Sequence, residues 1–145
     1  VDVQQIPLQT HWDDRGYLFE VLRKTDPHFT EFGQVYVVGS LGRGTIRAFH
    51  RHFELWDWFC IVRGSAKFIT FDPDVSNLQQ PKSWVLSEKN PSLLVVPPGV
   101  FHGWMALEEH TILLSTGSHV YNREKPDEQR VSYDSFEVDW SVKPK

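Results

Sequence analysis

Two histidines two residues apart, His50 and His52, precede Asp57, and a third, His102, follows the turn Pro97-Pro98-Gly99. An imidazole titrates near neutral pH, so it can serve as a proton-transfer base or as a metal ligand. In a β-strand, residues i and i+2 point to one face, so His50 and His52 project into the same space. A hairpin between His52 and Asp57 would bring the carboxylate back opposite the imidazoles. The Pro-Pro-Gly turn places His102 at its exit. Three imidazoles and one carboxylate allow two chemistries. In the first, one imidazole is a general base, and Asp57 beside it raises its pKa and fixes its tautomer. In the second, His50, His52, Asp57 and His102 bind a divalent metal such as Zn, Mn, Fe or Ni. A hydrogen-bonded polar cluster without metal is the structural alternative.

These residues need rigid elements to hold them. β-branched and apolar runs bounded by turn residues mark strands at 34–40, 46–52, 55–62, 66–72, 83–86, 93–96, 103–107 and 111–115. Residues 1–8 and 17–23 read as earlier strands, broken by the turn 12–16 and by Asp26-Pro27-His28. Residues 73–82 form a polar loop, and from Val120 the chain is polar. Many short strands without a period-3.6 stripe indicate an antiparallel sandwich or barrel. Trp56 and Trp58 flank Asp57 and therefore point away from the cavity, into packing or an interface. His11, His28, His110 and His119 sit at turns or element ends and are expected in solvent. The mixed charges of 123–130 read as a solvated tail, with a lid as the other option.

The 145 residues suit one domain, spanning 1–145, that buries its core without staples. The single Cys60 excludes an internal disulfide. No apolar run could span a bilayer and no signal pattern opens the chain, so a cytoplasmic protein is expected. A net charge of −4 without a basic stripe argues against nucleic acid as the partner.

Gly44-x5-His50-x-His52-x4-Asp57-x6-Gly64 resembles the first cupin motif, and Pro97-x-Gly99-x2-His102 resembles the second. A narrower likeness rests on Asp13-Asp14-Arg15-Gly16-Tyr17-Leu18-Phe19-Glu20, Arg47-Ala48-Phe49-His50, Val62-Arg63-Gly64, Pro97 to Gly103 and Asp139-Trp140. It covers most of the chain and resembles the dTDP-4-dehydrorhamnose 3,5-epimerase family. The resemblance implies an all-β cupin jelly-roll barrel with extra N-terminal strands. It implies His50 as base, Arg15 and Arg47 on the diphosphate, Glu20 near the nucleotide and His102 facing the sugar. It also implies no cofactor and a homodimer, which an edge-rich small β domain would itself favour.

Three positions depart from the family pattern. Asp57 stands where the family has a lysine. Residues 112–116, ILLST, lack the family's acid tyrosine. The chain stops at Lys145, before the aspartate that pairs with the base. The expected function is therefore a nucleotide-sugar epimerase or isomerase acting on a nucleotide-linked 4-keto-6-deoxy sugar, working at one carbon or with a rearranged acid. The alternatives are a metal-dependent cupin (dioxygenase or isomerase) and a non-catalytic sugar-binding cupin.

Overall fold

The computed structural model describes residues 2–74 and 80–145. Its strands are β1 (Gln4–Pro7), β2 (His11–Asp13), β3 (Gly16–Leu18), β4 (Gln34–Ser40), β5 (Ile46–Arg51), β6 (Asp57–Arg63), β7 (Ser65–Phe71), β8 (Lys82–Ser87), β9 (Ser92–Val96), β10 (Phe101–Ala106), β11 (Thr111–Gly117) and β12 (Gln129–Arg130). One sheet runs β1-β9-β6-β11-β4 and the other β12-β5-β10-β7-β8, with β2-β3 a separate hairpin. The pairings within them are antiparallel. The all-β jelly-roll expectation holds.

The alternation of side chains divides each sheet into two faces. Inward, Phe59, Ile61, Phe68, Leu94, Val96, Trp104 and Leu113 fill the space between the sheets. Outward from β6, Trp58 and Cys60 pack with Leu93 and Val95 under Phe19, Val21, Leu22 and Phe29. Trp56 and Trp58 thus face away from the cavity, as the alternation predicts. Burial raises the Cys60 thiol pKa to about 11. A third cluster forms around Phe49, which the tail covers with Phe136 and Trp140.

Two segments differ from expectation. Of residues 17–23, only Tyr17 and Leu18 belong to a strand, the end of β3; Phe19, Val21 and Leu22 give up pairing to cover the outer cluster. The tail is not a solvated appendage: Gln129 and Arg130 pair with Arg51 and His50, extending the second sheet. Residues 75–79 of the expected polar loop, and Val1 of the first expected strand, lie outside the described residues.

Two glycines fix the site's frame. Gly99, at φ +90°, makes the turn before β10, and its N–H donates to the His52 carbonyl at 2.7 Å. Gly103 lies where a Cβ would sit 2.2 Å from the Ala48 Cβ. Its missing side chain lets β5 and β10 approach closely enough to set His102 opposite His50.

Candidate active site

His50, His52, Asp57 and His102 line one cavity of about 430 Å³. The second sheet supplies His50 from β5 and His102 from β10, in register with each other. The first sheet supplies Asp57 at the start of β6, across from Gly117 on β11. His52 lies just past β5. The convergence expected from the spacing is therefore present.

The pairing of carboxylates with imidazoles differs from expectation. Asp57 lies against the other two histidines: its Oδ2 is 3.2 Å from His52 Nε2 and 3.4 Å from His102 Nε2. His50 instead turns Nδ1 toward Glu128, 3.5 Å away. The reason is topological. β12 runs beside β5 and brings Glu128 next to His50, whereas Asp57, on β6 of the other sheet, meets His52 and His102. The carboxylate beside His50 thus comes from the tail, through a residue that carried no sequence signal.

Asp127, the preceding residue, organises the approach. Its carboxylate accepts the backbone N–H groups of Phe53, Glu54 and Leu55 at 2.9–3.1 Å. Burial opposes its charge, but these donors outweigh burial and hold its pKa below the usual carboxylate range. The Asp127 carbonyl accepts from His52 Nδ1 at 2.7 Å.

The three imidazoles stand in different electrostatic states. His50 is held below the ordinary imidazole pKa by burial first and the Arg130 charge second, with Glu128 opposing. It is therefore an unprotonated base at neutral pH. His102 is pushed down to about 4, mainly by burial. For His52, burial also disfavours charge, but Asp57 and the Asp127 carbonyl prevail and raise its pKa. Asp57 Oδ2 is buried and has no well-formed hydrogen bond among the described residues.

Of the four metal ligands expected from spacing, His52, Asp57 and His102 offer atoms within 4.8 Å of one another, and His50 is not among them. Each clustered imidazole turns Nδ1 to a backbone carbonyl, Asp127 or Val100, and Nε2 toward Asp57. That donor set and orientation fit a divalent cation.

Arg47 lines an adjoining hollow of about 490 Å³ that also reaches His50 and His102. Arg130 lines both spaces. Arg15 and Glu20 lie elsewhere in the chain: Arg15 is on the β2-β3 hairpin, 86% exposed and ion-paired with Asp13, and Glu20 is beside Arg23. Two histidines expected in solvent are placed otherwise. His28 is largely buried beside Asp26, because the 19–29 segment folds over the outer cluster. His119 lines the cavity, where Ser118 Oγ lies 2.7 Å from its Nδ1.

Known proteins share this architecture. The model of the dTDP-4-dehydrorhamnose 3,5-epimerase family matches residues 1–145. The spore coat polysaccharide biosynthesis protein SpsL of Bacillus subtilis is 34% identical over 131 residues, covering 88% of this chain and 85% of that protein. The probable low-salt glycan biosynthesis epimerase Agl13 of Haloferax volcanii is 29% identical over 153 residues, covering 97% and 94%. The crystal structure of the Bacillus anthracis dTDP-4-dehydrorhamnose 3,5-epimerase, with TDP and PPi bound, superposes with a TM-score of 0.86 at 25% identity, covering 99% and 87%. By sequence over its whole length and by architecture, the chain belongs to the dTDP-4-dehydrorhamnose 3,5-epimerase family.

Proposed function

We propose that this nucleotide-sugar epimerase/isomerase acts on a nucleotide-linked 4-keto-6-deoxy sugar, with His50 removing the hydrogen beside the ketone. The ketone acidifies that hydrogen, and a base with a pKa near or below neutrality can take it. The observation that carries the reading is the state of His50. It is part-buried, unprotonated at neutral pH, and held by Glu128 at Nδ1, which leaves the Nε2 lone pair for substrate. Asp57 and His102 form the cavity floor, where His102 and His52, whose pKa Asp57 raises against burial, face the sugar and its developing oxyanion. Arg47 and Arg130 flank the opening, and an arginine fork suits a diphosphate.

The reading needs no cofactor and includes a homodimer. The hairpin exposes Trp12, Tyr17 and Leu18, and β4 leaves one edge without a partner strand among the described residues. In a dimer, the hairpin of one copy and the segment that follows it would carry Arg15 and Glu20 to the nucleotide of the other. Sedimentation as a monomer at micromolar concentration would remove that part. Sugar-nucleotide metabolism feeding a polysaccharide or glycan fits the names of the relatives.

The test is solvent deuterium uptake at the carbon next to the ketone. The wild-type chain should exchange, and His50→Ala should slow exchange at least ~100-fold. Wild-type exchange by His50→Ala in metal-free buffer would remove the base assignment. A second reading rests on the buried Asp57 Oδ2, which lies between two imidazoles without a well-formed hydrogen bond among the described residues and suits a cation held by His52, Asp57 and His102. Metal analysis of the purified protein, with and without chelator, decides it.

A further inference from the structure

Epimerisation needs two groups on opposite faces of one carbon: one removes a proton and the other supplies one. His50 stands on the second sheet, so the donor belongs on the first. The register shows what that wall presents. On the inward face of β11, Ser115 pairs with Tyr36 of β4 on one side and Phe59 of β6 on the other. β11 contains no tyrosine, but its neighbour places a phenol in the same row.

We infer that Tyr36 is the proton donor of the reaction, a conclusion that rests on the epimerase reading above. Tyr36 lines both spaces that His50 and His102 line. Its ring is partly exposed, 45%, as a cavity residue must be to reach a ligand. The buried Ser115 hydroxyl has no well-formed hydrogen bond among the described residues, and Ser115 stands directly across from Tyr36 in the strand register; burial raises the phenol pKa and Ser115 opposes part of that rise. The phenol thus keeps its proton at neutral pH, and Ser115 is a positioning residue.

The step balances. His50 takes the proton, the C–H electron pair becomes the C=C of an enolate, and the carbonyl pair moves to oxygen. On return, the oxygen pair re-forms C=O while the C=C pair takes the Tyr36 phenol proton on the opposite face. The tyrosinate recovers a proton from solvent, and the His50 imidazolium releases one to solvent.

Tyr36→Phe keeps the ring and removes the proton. It should lower inversion at least ~100-fold while deuterium still enters the substrate carbon with configuration retained. Ser115→Ala should slow inversion about 5-fold, leave exchange intact, and thus report on the same proton if the first variant folds poorly. His50→Ala should lose both exchange and inversion. Wild-type inversion by Tyr36→Phe, with His50→Ala inactive, overturns the donor and leaves the base reading standing. Separation of exchange from inversion by Tyr121→Phe instead, at the other cavity tyrosine, also overturns it. Absence of exchange by the wild-type chain overturns the epimerase reading itself, and the donor with it.

Discussion

The β2-β3 hairpin and the tail beyond Asn122 are both peripheral, charged and aromatic, yet the molecule uses them differently. The hairpin holds Trp12 and Tyr17 against each other at 4.8 Å and keeps Arg15 on its own Asp13. Among the described residues, Arg15 and Asp13 form an ion pair with each other and with no other charge. The tail instead inserts Trp140 against Phe49 at 5.5 Å and delivers Asp127 and Glu128 to the cavity. Its anions meet backbone donors and imidazoles. The difference shows that a charged residue acquires a role from what faces it, and that a buried aromatic anchor decides what faces it.

The comparison can be broken most severely at the anchor. Trp140 is 8% exposed, and its Nε1–H donates to the Tyr133 carbonyl. Trp140→Ala should destabilise the fold by about 3–5 kcal/mol in urea unfolding, the usual cost of removing a buried large aromatic. Activity should fall with it, because the tail would release Glu128. Unchanged stability would show that the tail docks without this anchor.

A gentler change separates orientation from anchoring. Glu128→Gln should lower epimerisation about 10–100-fold with stability nearly unchanged. It should also move the acid limb of the rate profile to lower pH. Glu128 raises the His50 pKa; without it the pKa falls further, and the base form survives to lower pH. Arg130→Gln should move the limb the other way, since the Arg130 charge lowers the same pKa. A limb that stays fixed in both variants would assign the titration to another group.

The smallest effect belongs to the hairpin. Arg15→Ala should leave thermal unfolding unchanged, because an exposed ion pair contributes almost nothing. If a second copy receives the hairpin, nucleoside-diphosphate binding by calorimetry should weaken about tenfold. Unchanged binding would confine Arg15 to the surface.

Much of this frame is legible in the sequence. Alternation and turn residues locate β4 through β11, and the two-residue histidine spacing with the Pro-Pro-Gly turn anticipates the meeting of His50, His52, Asp57 and His102. The partners are harder to read. Spacing puts Asp57 opposite the histidines, where it lies, but which imidazole it meets depends on strand order, which spacing does not contain. Glu128 sits in a stretch with no periodicity, and only the docking of Trp140 and the pairing of β12 with β5 bring it to His50. Tyr36 reads as one more aromatic in a β-branched strand. Its relation to Ser115 is a cross-strand register between segments far apart in the chain.

Cys60 lies on β6, three residues beyond Asp57, in the outer cluster behind the cavity floor. With its thiol pKa raised to about 11, only about one molecule in ten thousand carries the reactive thiolate at pH 7. Its alkylation must therefore wait for β6 to be uncovered. Labelling rate with a thiol reagent becomes a clock for opening of the floor strand, readable without substrate, and a nucleotide sugar that holds the two sheets together should slow that clock.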